Sequence, residues 1–246
     1  MINQEFNGLP IFNIVSDLPG KGSSGGIVNI EVLAVHHEAG YGNAFAIANY
    51  HVNSLKWSHI GYTFVIEEDG TINQTLDLNT SGFHAGYSKE YGDDVSKAPN
   101  GDMSYWNTHG WSVCLVGNFE FKPPTTKQVE SLLKLCVAVK KANANIKILG
   151  HKELPGKNTE CPGRLLDMNY VRMEVEKILD DNAPGKPNPG DDVYWQQFTS
   201  WREGAISTKG VADDLGRKFV QVADYLDVAV PRLVEARKII KGVIGR

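Results

Sequence analysis

The side chains of this chain best suited to chemistry are an adjacent pair of histidines, a later histidine and a cysteine. His36 and His37 close an apolar run, and His151 and Cys161 follow far along the chain, each in a polar segment. One imidazole of the pair, the imidazole of His151 and the Cys161 thiolate would form a three-ligand Zn²⁺ site, with a fourth position left for water. Structural zinc sites use four protein ligands, so this set predicts a catalytic zinc and a zinc hydrolase.

The three cysteines of the chain differ in their surroundings. An odd number at scattered spacing argues against a disulfide framework. Cys114 lies in an apolar, strand-like run and Cys136 on the apolar face of a predicted helix, so both are expected to be small buried side chains. Cys161 stands between polar residues and a Pro-Gly pair, where a core thiol is not expected. It is therefore the cysteine predicted to bind the metal.

Hydrophobic periodicity and turn signals predict an alternation of strands and helices. The predicted elements are strands over 31–37, 111–119 and 146–149, a hairpin over 60–76 that turns at Asp69-Gly70, and helices over 43–55, from Thr125 onward, and 164–181. Such an alternation predicts an α/β fold, a mixed central β-sheet flanked by helices. His36 and His151 both fall just past strand ends, where α/β sheets bind their ligands.

The composition changes near residue 183. Residues 183–194 are rich in Pro and Gly and are predicted to be a linker between a domain over 1–182 and a small all-helical C-terminal module over 195–246. Basic residues outnumber acidic ones in that module, which suits an anionic polymer or simply a solvated helix surface. Its apolar stripes also allow self-association through 195–246.

Composition excludes several classes of function. The 246 residues are 41% hydrophobic and 22% charged, as in globular proteins. The net charge of −4 is not the positive charge typical of proteins that bind nucleic acid. No apolar run approaches the roughly 18 residues that a membrane span needs, so membrane insertion is not expected. The segment Met1–Phe6 lacks a basic start and an apolar stretch, so we expect no signal peptide and synthesis in the cytoplasm.

Six segments occur in the order seen in one enzyme family. They are Val35-His36-His37, Ile60 to Gly70, Gly82-Phe83-His84-Ala85-Gly86, Val113 to Phe119, Gly150-His151-Lys152-Glu153 and Thr159-Glu160-Cys161-Pro162-Gly163. Over about residues 28–180 the chain resembles the type-2 N-acetylmuramoyl-L-alanine amidases, which include phage endolysins and peptidoglycan recognition proteins. The C-terminal module does not resemble a known wall-binding repeat.

The resemblance implies a specific ligand set for Zn²⁺. The metal would be held by His36, His151 and Cys161. Successive side chains of a strand point to opposite faces, so His37 would face away from the metal and serve a supporting or structural role. Glu38 replaces the Thr or Ser of the family pattern, which leaves the local hydrogen bonding open.

The resemblance also implies roles for residues around the metal. Tyr62 matches a tyrosine that orients the nucleophile or stabilises the developing oxyanion, and Thr159 matches a residue that steadies the oxyanion. His84 matches a substrate-contacting histidine, and Asn118 is expected to line the peptide groove. Trp111 also lies near that groove, although core packing is the favoured role for its side chain.

The function implied by the resemblance is zinc-dependent hydrolysis of the amide bond between N-acetylmuramic acid and L-alanine in bacterial peptidoglycan. The expected setting is a phage or prophage endolysin, made in the host cytoplasm and acting on the wall after holin-mediated or other signal-independent release. The module over 195–246 would then target the wall. Two alternatives remain: a cytoplasmic amidase that recycles muropeptides, and a peptidoglycan-binding module without catalysis.

Overall fold

A six-stranded mixed β-sheet organises the part of the chain that the computed structural model describes, namely residues 9–20, 25–40, 42–86, 88 and 92–180. The linker predicted over 183–194 and the helical module predicted over 195–246 lie outside the described residues. The strands are β1 (Ile11–Asn13), β2 (Val32–His37), β3 (Phe64–Ile66), β4 (Ile72–Gln74), β5 (Gly110–Leu115) and β6 (Lys147–Gly150). The helices are α1 (Ala44–Asn49), which continues as a π-helical turn over Tyr50–Ser54, α2 (Tyr105–His109), α3 (Thr126–Ala142) and α4 (Met168–Leu179).

The strand order is β1-β4-β3-β5-β2-β6, and β3 with β4 is the antiparallel pair. Strand β2 lies between β5 and β6 and runs parallel to both. All six residues of β2 are buried, as expected for a strand covered on both faces. The prediction of a mixed central sheet flanked by helices is confirmed for the described residues.

Helices and loops cover the sheet through apolar contacts. Val32 and Ala34 of β2 pack with Trp106 and Leu154. Helix α1 packs its residues Ala44, Ile47 and Ala48 in a cluster that includes Val65 of β3 and Cys114 of β5. Helix α3 contacts β3, α4 contacts β6, and the two helices contact each other. The ends of β2 and β6 are thereby fixed between packed layers.

Helix α3 begins where the sequence predicts. Thr125 caps it, accepting a hydrogen bond from the Gln128 amide, while the Gln128 side chain accepts one from the Thr125 amide. This reciprocal capping box satisfies amide groups that the first helical turn leaves unpaired. Gln128 also donates to the carbonyl of Val116, which ties the start of α3 to the segment after β5. Among the described residues, no helix combines the length and apolar character needed to cross a membrane.

Two element boundaries differ from the prediction by four residues each, and strand β1 was not predicted. Strand β5 ends at Leu115 rather than 119, because the chain turns at Gly117, whose φ of 128° suits glycine. Helix α4 begins at Met168 rather than 164, because Asp167 caps it by accepting hydrogen bonds from Asn169 and Tyr170. Strand β1 was not predicted, since its three residues are too short to show a period.

Candidate metal centre

His36 is placed by the end of β2 and is almost completely buried. Its partner in the neighbouring strand is Cys114, so its position is fixed by the register of two buried strands. The two ring nitrogens face different groups. Nδ1 lies 3.7 Å from Cys161 Sγ, and Nε2 lies 3.1 Å from His84 Nδ1.

His151 begins the 3₁₀ turn that follows β6. Gly150, the last residue of β6, pairs with Val35, so His151 emerges beside the end of β2, and the His36 and His151 rings lie 4.5 Å apart between centroids. Glu153 closes the turn by accepting a hydrogen bond from the Gly150 amide at 2.7 Å. Arg172 of α4 binds both oxygens of Glu153, at 2.8 and 3.0 Å. The turn that carries His151 is therefore clamped to α4.

Cys161 is held by backbone contacts on both sides. The amide of His37 donates to its Sγ at 3.4 Å, and the amide of Lys152 donates to its carbonyl at 2.8 Å. Its own amide donates to Thr159 Oγ1 at 3.2 Å. These contacts aim the sulfur at the ends of β2 and β6.

The ligand atoms of His36, His151 and Cys161 all lie within 4.8 Å of one another. Two imidazoles and one thiol are a donor set that suits Zn²⁺ and leaves a fourth position open. His151 Nε2 is buried and has no hydrogen-bond partner among the described residues. A buried ring nitrogen without a partner costs free energy unless something binds it, so the three residues fit a zinc ion.

Burial sets the protonation of these groups in the metal-free protein. It lowers the pKa of His36 well below its usual range, with His151 and His84 adding to the effect, and lowers that of His151 to about 4. Burial also raises the pKa of the Cys161 thiol to about 12, partly opposed by the His37 amide. Neutral imidazoles are ready to bind a metal, whereas the thiol must lose its proton, which a bound cation promotes.

His37 and Glu38 support the site from behind. His37 Nδ1 accepts a hydrogen bond from the Phe119 amide at 3.0 Å, and His37 is not among the three residues whose ligand atoms converge. Both carboxylate oxygens of Glu38 lie 3.0 Å from the Gly42 amide, so Glu38 closes the turn after β2. The local hydrogen bonding of Glu38, which replaces the Thr or Ser of the family pattern, is thus made to the Gly42 amide.

Tyr62 and Thr159 lie next to the three candidate ligands. The Tyr62 ring is 5.3 Å from the His36 ring, and burial raises the pKa of its hydroxyl well above the usual range, with Cys114 and Cys161 adding to the effect. Tyr62 is therefore a neutral hydroxyl, and it forms a hydrogen bond with the Cys114 thiol. Thr159 is half-buried and close to Cys161 through its hydroxyl, while Glu160 is exposed.

His84 and Asn118 have different surroundings. His84 is buried against His36, burial lowers its pKa to about 3, and its Nε2 has no partner among the described residues. Asn118 donates to the Ala39 carbonyl at 3.2 Å and accepts from the Glu120 amide. Its amide therefore braces the turn after β2, and its predicted substrate contact stays a prediction. Trp111 is half-buried and donates to the Leu78 carbonyl.

Two aromatic residues near the site were not predicted. The His51 ring lies 5.6 Å from Tyr62 and 4.6 Å from Trp57, and His51 Nδ1 accepts a hydrogen bond from the Gly61 amide. His51 and Trp57 thus continue the ring contacts that link Tyr62 to His36. In the sequence His51 lies within a helical pattern and reads as part of its apolar face, so no local signal distinguishes it.

Comparisons with known proteins agree with this site. The family model for N-acetylmuramoyl-L-alanine amidase (Amidase_2) matches residues 28–164, more than half of the chain. Peptidoglycan-recognition protein SC1a of Drosophila melanogaster is 27% identical over 121 residues, which cover 48% of this chain and 55% of that relative's length. Peptidoglycan-recognition protein SC2 of the same species is 28% identical over 146 residues, covering 54% of this chain and 68% of the relative.

A solved structure shares the fold. N-acetylmuramoyl-L-alanine amidase LysC from Clostridium intestinale URNW superposes with a TM-score of 0.52 at 22% identity, covering 68% of this chain and 97% of that chain. The match to the family model includes His36, His151 and Cys161 as well as the strands that carry the two histidines. The chain therefore belongs to the N-acetylmuramoyl-L-alanine amidase family.

Proposed function

We propose that this protein hydrolyses the amide bond between N-acetylmuramic acid and L-alanine in bacterial peptidoglycan, with Zn²⁺ held by His36, His151 and Cys161. The observation that carries the proposal is the convergence of these three ligand atoms within 4.8 Å in a chain of this family. The partnerless Nε2 of His151 supports it, because a metal ion would satisfy that nitrogen.

A zinc ion in this site would supply Lewis acidity and make a water molecule acidic enough to attack a carbonyl near neutral pH. The Tyr62 hydroxyl is kept neutral by burial, and it would exchange its hydrogen bond with Cys114 for one to the oxygen of the amide as negative charge develops there. Thr159 already accepts a hydrogen bond from the Cys161 amide, so its own hydroxyl hydrogen is directed elsewhere and can serve the same oxygen.

The contact between His36 and His84 sets the hydrogen positions on both rings. His36 Nδ1 faces Cys161, so it is the nitrogen suited to the metal, and Nε2 then carries the hydrogen and donates to His84 Nδ1. A neutral His84 must consequently carry its own hydrogen on Nε2, the atom that has no partner among the described residues. This N–H is buried beside the backbone of Trp106 and Gly110, so the proposal that His84 contacts the substrate rests on the family resemblance.

The test is digestion of purified bacterial walls by zinc-loaded protein. Cleavage at the proposed bond releases a new amino group, the N-terminus of L-alanine, and no new reducing sugar. We expect about one zinc per chain, release of amino groups, and loss of both zinc and activity in Cys161→Ala. Cys136→Ala is the matched control, since Cys136 is buried on α3 away from the site and should keep its metal and activity.

Two outcomes would contradict the proposal. Release of reducing sugars would indicate glycosidic cleavage, and activity that survives Cys161→Ala would place the metal elsewhere. Binding of walls with no release of amino groups would instead support a peptidoglycan-binding module without catalysis, which the names of the recognition-protein relatives make the principal alternative.

The biological setting is also proposed. A phage or prophage endolysin, released to the wall after synthesis in the host cytoplasm, fits a catalytic domain followed by a linker and a small module. Digestion of intact walls, compared with digestion of soluble anhydro-muropeptides, separates this role from a recycling amidase. Activity on the small muropeptides alone would refute the endolysin role. Comparing wall binding and light scattering of the full chain with a 1–182 truncation tests whether residues 195–246 target the wall or mediate self-association.

A further inference from the structure

We propose that Lys157 is a positioning residue whose ammonium group fixes the segment His84–Gly86 against the loop 151–161. This contact places His84 where it meets the substrate, while other contacts hold the metal ligands. The substrate part of this inference rests on the proposed function. Lys157 touches neither the candidate metal ligands nor His84 directly, and it acts through the backbone on which His84 is carried.

Lys157 is a charged side chain buried in full. Its side chain is 1% exposed, and the side chain of its ion-pair partner Asp93 is 5% exposed. The ammonium nitrogen lies 2.7 Å from the Gly86 carbonyl, 3.1 Å from Asp93 Oδ2 and 3.4 Å from the Met103 carbonyl. An ammonium group has three hydrogens, so these three acceptors satisfy it completely. A buried, fully satisfied ammonium fixes the position of every group that it contacts.

The contacts of Asp93 extend the same junction. Its Oδ1 accepts a hydrogen bond from the Asn158 amide at 2.9 Å, and its Oδ2 accepts one from the Ser88 amide at 3.1 Å. The next amide, that of Asp94, donates to the Gly156 carbonyl at 2.9 Å. Lys157 and Asp93 thus join the backbone that follows His84 to the backbone that lies between His151 and Cys161.

The metal ligands have supports of their own. The turn that carries His151 is clamped by the Glu153–Arg172 pair, and Cys161 is held by the amides of His37 and Lys152.

 The segment His84–Gly86 is held by Asn107, which accepts a hydrogen bond from the Ala85 amide at 2.8 Å, and by the His84 ring, which contacts His36 and the backbone of Trp106 and Gly110. Lys157 adds the tie between this segment and the loop 151–161, so removing its ammonium should shift the segment relative to that loop and spare the metal ligands.

The experiment compares three variants of the full chain with the wild type. Lys157→Met removes the ammonium and keeps a side chain of similar length. Lys157→Met combined with Asp93→Asn also removes the buried carboxylate that the single variant would leave without its cation. Lys97→Met is the matched control, because Lys97 forms an ion pair with Asp94 in the same part of the chain but is 73% exposed.

The measurements are zinc affinity by competition with a chelating dye, kcat and KM on a soluble muramoyl peptide, and the Kd for pelleted walls. For Lys157→Met we expect KM and the wall Kd to rise about tenfold, the size of one lost hydrogen bond in a binding site. Zinc affinity should not fall by more than about threefold, since no contact to a ligand is removed and the lost positive charge of Lys157 had opposed a cation near His151. The double variant should recover stability without recovering KM, and Lys97→Met should match the wild type throughout.

Several results would overturn this role for Lys157. An unchanged KM and wall Kd would mean that the ammonium positions nothing that the substrate meets. Recovery of KM together with stability in the double variant, or a fall of zinc affinity in parallel with KM, would make Lys157 a purely structural residue. If the wild type hydrolyses nothing, the proposed function fails by itself, and the wall Kd alone then decides the role of Lys157.

Discussion

The clamp between Arg172 and Glu153 gives the sharpest prediction about the metal centre. Arg172 binds both carboxylate oxygens of Glu153, at 2.8 and 3.0 Å, and also donates to the Ile148 carbonyl at 3.1 Å and to Asn169 Oδ1 at 2.7 Å. Arg172→Gln removes the paired fork at the turn that carries His151. The expected result is a weaker zinc site and a less stable metal-free domain.

The magnitude follows from the exposure and geometry of the pair. Both side chains are 31% exposed, so solvent weakens the attraction, while the paired geometry strengthens it relative to an ordinary surface ion pair. We expect a loss of about 1–2 kcal/mol in the free energy of unfolding. For a domain of this size that corresponds to a fall in Tm of about 2–4 °C per kcal/mol. Arg172 acts on His151 only through Glu153 and the backbone of its turn, so zinc binding should weaken by less than the roughly tenfold or more that follows loss of a group bonded directly to a ligand.

The assay is a double-mutant cycle with Arg172→Gln, Glu153→Gln and both together, followed by urea unfolding and by zinc competition. Lys134→Gln is the control, because Lys134 pairs with Glu130 at 3.9 Å on the surface of α3, and it should change stability by less than about 0.5 kcal/mol. A coupling energy near zero between Arg172 and Glu153, or unchanged zinc affinity in Arg172→Gln, would refute the reasoning.

Three further predictions concern stability. The pKa values of His84 and His151 are lowered from 6.5 to about 3 and about 4, so the unfolded chain binds more protons than the folded chain below pH 6.5. The metal-free protein should therefore have its full stability above pH 6.5 and lose stability as the pH falls toward 4. Urea unfolding at several pH values checks this. Gly156→Ala should lower the free energy of unfolding by about 1 kcal/mol more than Gly101→Ala, as thermal unfolding can measure. Both glycines have positive φ, but a Cβ on Gly156 would lie 3.0 Å from the Asp94 carbonyl oxygen, whereas a Cβ on Gly101 would meet nothing within 4 Å. Thr125→Ala should cost about 1 kcal/mol by removing the cap of α3, and an unchanged unfolding midpoint would contradict that role.

The sequence predicts elements whose signals are local. Helix α3 shows its capping box and apolar stripe within a short window, and the hairpin of β3 and β4 shows its Asp-Gly turn. The grouping of His36 with His151 follows from a rule of topology, because the carboxyl ends of parallel strands meet at one edge of a sheet. These features need no knowledge of distant contacts.

The supports of the site could not be predicted in this way. Lys157 meets Gly86 and Asp93 only after two loops have folded against each other, and Arg172 reaches Glu153 from the next helix. Buried charges have no pattern of their own, since the same residue types are common on surfaces. Strand β1 was missed for a related reason: it is defined by its pairing with β4 and not by its own three residues.

The position of β2 in the sheet has a consequence for how the protein folds. Its two neighbours, β5 and β6, are made of residues that follow roughly 80 and 115 positions later in the chain. Closing such long loops lowers the entropy of the chain before the stabilising contacts form, and domains whose strands pair over long sequence distances fold slowly. The candidate ligands His36 and His151 meet only when β6 has paired with β2, so tight zinc capture during refolding should mark formation of that pairing. A chain interrupted before β6 pairs would hold His36 alone and bind zinc weakly.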